Sequence, residues 1–313
     1  MRYRSVLCMG GCVVDRIGET TEARERLHTS NIGRMRSGIG GVARNVAENL
    51  ARLGVPVGLV SAVGEDADGR RAVAASRAAG IDTQGVVVMT GAATASYTAI
   101  FNGAGELVIG LADMAIFDAI APSAAEAALA AASDDTLLFV DANLPAATLE
   151  AVARAKRGRM LAAVPVSRQK LARFAAILPD LDILFLNRYE AATLLGREGG
   201  EPATLAQGLA AGPVKKGLLT LGPDGALAWE EDRVTQIPAL PSRPVNVNGA
   251  GDALAAGTLA RLAAGDDFIA AASRAMAAAA LTVEAMETVR RDLSMEAMLA
   301  RFDLSLRTET ISR

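Results

Sequence analysis

Leu137-Leu-Phe-Val140, Ala146-Ala-Thr-Leu-Glu-Ala-Val-Ala-Arg-Ala-Lys156 and Met160-Leu-Ala-Ala-Val164 follow one another as an apolar β-like run, an Ala-rich helical segment and a second apolar run. The same alternation spreads outward in both directions. Further β-like runs stand at 57–63, 86–89, 183–186 and 216–220, and helical segments at 69–79, 123–132, 167–177, 189–195 and 203–211. Strands that alternate with helices imply a mostly parallel sheet covered by helices on both faces. The length of 313 residues exceeds the usual single core, but α/β chains often run this far as one domain, so one large domain with a small appendage is expected.

Several segments fall outside the alternation. Residues 5–9 are apolar and lead through Gly10-Gly11 to Val13, Val14 and Asp15, which reads as a first strand leaving the core edge. Residues 16–38 are charged and rich in turn formers, and are expected to be irregular or edge structure. From Val42 to Leu53 the apolar positions follow helical spacing, closed by Gly54 and Pro56. Two β-like runs, 94–101 and 106–111, flank Asn102-Gly-Ala-Gly105 as a hairpin, and this out-of-phase pair suggests a second small sheet. After residue 250 the pattern is helical to about 303, and the polar tail is expected to fray.

Half the residues are apolar and only 4% aromatic, as suits small-residue helices packed on a sheet. A net charge of −3, with basic residues scattered, excludes a surface built to hold a nucleic acid. Cys8 and Cys12 have no partner pair for a zinc site and read as core thiols. No apolar run reaches membrane-spanning length and no secretory leader is evident, so a cytoplasmic protein is expected. The single histidine, His28, excludes mechanisms that need two and reads as a surface residue. G-x-x-x-x-G-K-[ST], G-x-S-x-G and H-E-x-x-H are all missing, and Gly10-Gly11 lacks the G-x-G-x-x-G spacing of a dinucleotide fold.

Three groups of residues could carry chemistry. In Asn246-Val-Asn248-Gly249-Ala250-Gly251-Asp252, glycines precede an acid and then an apolar helix. Close backbone approach and free helix-start N–H groups form an anion site that a phosphoryl group would fit, although Asp252 could equally be a helix-cap carboxylate. Gly38-Ile-Gly40-Gly41-Val-Ala-Arg44-Asn45 repeats glycines at a helix start, where Asn45 is either a ligand or a helix-surface residue. Asp15 could accept two hydrogen bonds from a vicinal diol or be a turn residue. The third group lies at predicted strand ends, the ligand edge of open α/β sheets: Asp141-Ala-Asn143, Asn187-Arg-Tyr-Glu190 and Thr220-Leu-Gly222-Pro-Asp-Gly225. Glu190 could also be an ordinary first-turn acid, and Gly222 with Gly225 a hairpin turn.

Together these residues resemble the PfkB (ribokinase-like) family of carbohydrate and nucleoside kinases over about residues 3–290. The family's N-terminal signature is similar to Gly40 through Gly54, and its C-terminal signature to Asn246 through Gly257. The resemblance implies a three-layer α/β/α sandwich with a small β-sheet lid, formed by about 16–38 and 94–112. It implies Asp252 as catalytic base, with Gly249, Ala250 and Gly251 as the anion hole. Asp15, Gly40, Gly41, Asn45 and Asn143 would contact the acceptor, and Asn187, Thr220, Gly222 and Gly225 the nucleotide. Glu190 would reach Mg²⁺ through water. Within the family, Asp141-Ala-Asn143-Leu-Pro and Pro165-Val-Ser167-Arg-Gln-Lys170 are most similar to kinases of pseudouridine; a free sugar or another nucleoside is the alternative acceptor. Val13 replaces an Asn of many members, and Asn246 an acid of their monovalent-cation loop, so potassium activation is not carried over. ATP, Mg²⁺ and a homodimer are implied. A silent sensor that keeps the fold is the reading from a different class, against which an intact Asp252 and glycine loop argue.

Overall fold

A computed structural model describes residues 3–311, with side chains described as far as residue 305. In chain order the elements are β1 (Ser5–Met9), β2 (Val13–Thr20), β3 (Gly33–Gly40), α1 (Val42–Arg52), β4 (Val57–Gly64), α2 (Ala67–Ala78), β5 (Val86–Met89), β6 (Ser96–Phe101) and β7 (Leu107–Asp113). Next come α3 (Pro122–Ala131), β8 (Thr136–Asp141), α4 (Ala146–Ala155), β9 (Leu161–Val164), β10 (Ile183–Asn187), α5 (Arg188–Leu194), α6 (Pro202–Ala210), β11 (Lys216–Thr220), β12 (Ala226–Glu230) and β13 (Arg233–Ile237). Three helices end the chain: α7 (Ala250–Ala264), α8 (Phe268–Val283) and α9 (Met295–Ile311).

The large sheet has the order β13-β12-β11-β10-β9-β8-β1-β4-β5 and is parallel from β11 to β5. Strand β8 shows why apolar runs mark its strands. Leu137 and Phe139 enter the core beneath α1, α7 and α8, while Leu138 and Val140 enter the core beneath α3 to α6. A strand covered on both faces has no face left for polar residues. The Ala-rich helices pack closely: a side chain at Gly257 of α7 would press on Ala275 and Ala278 of α8. Cys8 and Cys12 are buried free thiols, as expected. No helix among the described residues is long and apolar enough to cross a membrane.

A second sheet, ordered β3-β2-β6-β7, stands apart from the first. Here the sequence reading needs correction. Val13–Asp15 does not extend the first strand, because β1 ends at Met9, and Gly10, at φ 153, turns the chain out of the large sheet. Residues 16–38 are irregular over 21–32 and strand on either side, and what the reading lacked is the pairing: β2 and the edge strand β3 run antiparallel from Val13↔Gly40 to Thr20↔Gly33. Solvent reaches almost all of β3, so no apolar alternation betrays it. The 94–101 and 106–111 hairpin is present as β6 and β7.

Three other expectations change. The segment 167–177 is not an α-helix but short 3₁₀ turns at Leu171–Phe174 and Leu178–Asp180, framed by Pro165, Pro179 and a left-handed Val166. After β11 the chain adds an antiparallel edge hairpin, β12–β13, that the reading omitted. Its core is Trp229, whose indole N–H donates to the Val214 carbonyl at 2.9 Å. Helix α9 carries past residue 303 to Ile311 rather than fraying there; residues 312–313 lie outside the described residues.

Candidate active site

Asp141 organises one end of the parallel strands. It is fully buried at the end of β8, and its Oδ2 accepts the N–H of Gly11 (3.0 Å) and of Ala43 (2.9 Å), while Oδ1 accepts that of Asn143 (2.8 Å). One carboxylate thus ties the turn after β1, the first turn of α1 and the loop after β8. A Cβ at Gly10 would lie 2.3 Å from this carboxylate, which explains the glycine. Gly41, at φ 97, is the N-cap of α1, and a Cβ there would meet the Gly11 carbonyl at 2.4 Å. The two glycine pairs of the sequence are therefore two turns packed on each other. Burial holds the Asp141 carboxyl above the usual carboxylate range against the three N–H groups that lower it.

Three further groups surround this hub. Asp15, on β2, lies over Gly40, where a Cβ would approach its Oδ2 to 2.0 Å. Burial raises the Asp15 pKa to about 6, and the nearby Arg44 guanidinium opposes that rise. Asp252 sits in the first turn of α7, whose N-cap Gly249 is left-handed at φ 82. Its Oδ2 accepts from Asn45 Nδ2 at 2.9 Å. Burial, reinforced by the negative charges of Asp141 and Asp15, raises its pKa to about 7, with the Asn45 hydrogen bond opposing. Asn45 Oδ1 is buried without a hydrogen-bond partner, an acceptor of the kind that a ligand donor satisfies. The first-turn N–H groups of α7 have no intrahelical partner, and Gly251 is open to solvent.

The structure brings together Asp15, Gly40, Gly41, Asn45, Asn143, Gly249, Ala250, Gly251 and Asp252, and adds residues that the sequence reading quoted in its motifs without giving them a role. Asp141 is one; its signal was only a carboxylate at a strand end. Arg44 is another. It is buried, pairs with Glu48 one helical turn on, and donates to the Ile39 carbonyl at 3.1 Å; Glu48 is also held by Arg52 Nε at 2.9 Å. Lys170 is the third, reaching the Asn143 side-chain oxygen. Burial lowers its pKa while Asp141 raises it. Asn143 is buried and already engaged by Lys170 and, at its carbonyl, by Arg173 at 2.9 Å.

The second group lies farther along the same sheet edge. Asn187 and Thr220 are register partners at the ends of β10 and β11. Asn187 caps α5, its Oδ1 accepting from the Tyr189 and Glu190 N–H groups at 2.9 Å each, while Glu190 Oε2 accepts the Asn187 N–H at 2.9 Å. Both residues therefore have a capping role of their own. Burial raises the Glu190 pKa. Gly222 (φ 62) and Gly225 (φ 88) shape the turn from β11 to β12, and open space lies at Gly222. No hydrogen bond joins this group to Asp252 among the described residues. Nor do three His, Cys, Asp or Glu side chains cluster there as a metal cage. One carboxylate beside open backbone is consistent with Mg²⁺, which keeps several waters and is bound largely by substrate phosphates.

Comparison with known proteins agrees with this geometry. The sequence pattern of the pfkB family carbohydrate kinases matches residues 4–293. The pseudouridine kinase of Escherichia coli strain K12 is 27% identical over 294 residues, spanning 93% of this chain and 94% of the relative. A carbohydrate kinase from Agrobacterium tumefaciens superposes with a TM-score of 0.82 at 34% identity, covering 96% of this chain and 98% of that one. The Arabidopsis thaliana ribokinase complexed with ribose and ATP shares the fold at a TM-score of 0.81 and 18% identity, over 96% and 99% of the two chains. The α/β/α sandwich with its small second sheet is that of the pfkB carbohydrate kinases, and the chain belongs to that family of phosphotransferases acting on sugar or nucleoside hydroxyls.

Proposed function

We propose that this kinase transfers the γ-phosphoryl group of ATP to the 5′-hydroxyl of pseudouridine, within a single kinase domain and in the cytoplasm, where ATP is held. The catalytic reading rests on one observation: Asp252, its pKa near 7, is held by Asn45 at the N-terminus of α7. Asp252 takes the proton of the attacking hydroxyl as its oxygen bonds to the γ-phosphorus and the bond to the bridging oxygen of ADP breaks. The N–H groups of Gly249, Ala250 and Gly251 face the charge that spreads over the equatorial oxygens. Asn187, Thr220, Gly222 and Gly225 would hold the nucleotide, and Glu190 would hold Mg²⁺ through water; the ion would neutralise phosphate charge.

Asp15 clamps the ribose diol, with Gly40 and Gly41 leaving room for it, and Asn45 Oδ1 accepts a substrate hydroxyl. The choice of pseudouridine rests on the likeness to the E. coli pseudouridine kinase and on the Asp141–Pro145 and Pro165–Lys170 segments, which Lys170 joins by reaching Asn143. A free sugar or another nucleoside is the second reading, favoured by the ribokinase among the relatives. ATP consumption with pseudouridine, uridine, adenosine, ribose and fructose tests this directly. Pseudouridine is expected to give the highest kcat/KM, and a higher value for any other acceptor overturns the assignment. Asp15→Ala is expected to raise the acceptor KM roughly 10²-fold, since hydrogen bonds to a charged group are worth about 1.5–3 kcal/mol. The ATP KM should hold; equal changes in both would make Asp15 a folding residue.

We also propose that the small sheet is a lid and a dimer surface. Met35, Leu107, Ile109 and Leu111 on its edge strands β3 and β7 are more than half exposed, an apolar patch beside unpaired strand edges. Light scattering is expected to give a dimer mass that Ile109→Lys reduces to a monomer. Hydrogen exchange in 16–38 and 94–112 should slow when the acceptor binds. A monomeric mass with unaltered exchange would remove both roles.

A further inference from the structure

The backbone that enters α7 is held by the loop that leaves α8. The N–H groups of Val245 and Asn246 both donate to the Val283 carbonyl, at 2.7 and 3.1 Å. Asn246 Nδ2 donates to the Met286 carbonyl at 2.9 Å, and Asn246 Oδ1 accepts the Asn248 N–H at 3.0 Å. Gly249 follows, packed so closely that a Cβ there would lie 2.0 Å from the Thr288 carbonyl oxygen. The orientation of the Asn246 amide is determined from both sides. Turning it over would set oxygen against the Met286 oxygen and NH₂ against the Asn248 N–H.

A monovalent cation between these loops would need several oxygen ligands, carbonyls among them, that are not already taken by N–H donors, and the Val283 carbonyl accepts two of those. Here a donor points at Met286, and the neighbouring Glu284 is engaged by Arg301 (2.9 Å) and by the Arg243 N–H (3.2 Å). The residues present do not fit a monovalent cation. We infer that Asn246 is a positioning residue whose amide bridges the two loops in a cation's place, so that the Gly249–Asp252 turn is set without potassium. Asn246→Asp puts a carboxylate against the Met286 carbonyl, a repulsion that a cation entering between them relieves.

The kinetic arm of the test rests on the pseudouridine reading; the melting arm does not. Wild type and Asn246→Asp are compared in KCl, NaCl and choline chloride of equal ionic strength, by melting temperature and by turnover of pseudouridine with MgATP. Wild type is expected to give the same melting temperature and kcat in all three salts. In choline, Asn246→Asp is expected to melt lower and to lose kcat about tenfold, as for one lost hydrogen bond, with the pseudouridine KM nearly unchanged. Potassium should recover much of both losses. The inference is overturned by a severalfold rise of wild-type kcat or a clear rise of its melting temperature with potassium. An Asn246→Asp protein that matches wild type in choline, or whose losses potassium does not recover, overturns it equally. If pseudouridine is not turned over in any salt, the acceptor reading fails while the melting temperatures still decide the role of Asn246. If Asn246→Asp does not fold, the wild-type salt series decides it.

Discussion

Asp252→Asn lowers kcat by roughly 10²–10⁴-fold, the contribution of a positioned proton acceptor, and leaves ATP affinity within a few-fold of wild type. The amide keeps the shape of the carboxylate and one oxygen to meet Asn45 Nδ2, so the α7 entry is preserved while the proton has nowhere to go. The pH profile supplies a second readout. With a pKa of about 7 the base is half ionised at neutrality, so wild-type activity should fall about tenfold per pH unit below about 7. A second loss, seen as a rising acceptor KM, is expected below about 6 as Asp15 is protonated.

The same shift predicts stability with the opposite sign. Burial raises the Asp252 pKa from 3.8 to about 7, so below 3.8 the group is neutral in both folded and unfolded chains and costs nothing. As pH rises through that window the unfolded chain ionises first, and stability is lost until the folded carboxyl also ionises at about 7. Asp252→Asn should therefore melt higher than wild type at pH 8, with the gap closing as pH falls toward 4. A variant that keeps more than about a tenth of wild-type kcat, well short of the loss a general base implies, would end the assignment of Asp252 as base.

Asp141→Ala has the largest expected effect on folding. It leaves the N–H groups of Gly11, Ala43 and Asn143 without their acceptor in a site where Asp141 itself is fully buried. Each orphaned buried donor costs about 1–3 kcal/mol, and three together approach the ~5–15 kcal/mol that holds a domain folded. The variant is expected to be largely unfolded or insoluble at 37 °C. Asp141→Asn is expected to fall between, because its oxygen can serve Gly11 and Ala43 while its NH₂ opposes the Asn143 N–H. Circular dichroism melting checks both. An alanine variant melting within a few degrees of wild type would show that water or a neighbour replaces the carboxylate.

The two variants separate what each carboxylate does, and they also separate two kinds of legibility. Asp252, Asn45 and the glycine pairs could be read from the chain because each needs a particular residue type at a particular local offset. A left-handed N-cap calls for glycine, and an acid in the first turn follows it. The large sheet was legible for the same kind of reason. Strands buried on both faces admit only apolar residues, so runs such as Leu137–Val140 announce themselves.

What the chain could not disclose was whatever depends on partners far away in sequence. Strand β3 is exposed and charged, and it exists because it pairs with β2, which also pairs with β6, in the register Asp15↔Gly38 and Asp15↔Tyr97. The 167–177 segment has a helical composition, but prolines and a left-handed Val166 turn it so that Lys170 reaches Asn143. Asn187 and Glu190 were legible as a pair, and the structure added that each already satisfies the other's backbone. Asp141 looked like one more acid at a strand end, and only folding places it within reach of Gly11 and Ala43. By itself the sequence determined the layered α/β fold, the family and the glycine-flanked acid, because local sterics and two-sided burial constrain residue type position by position. The tertiary structure alone decided the pairing of β2 with β3, the Asp141 hub and the raised pKa values of Asp15 and Asp252, because burial and charge coupling arise only between segments that the fold brings together.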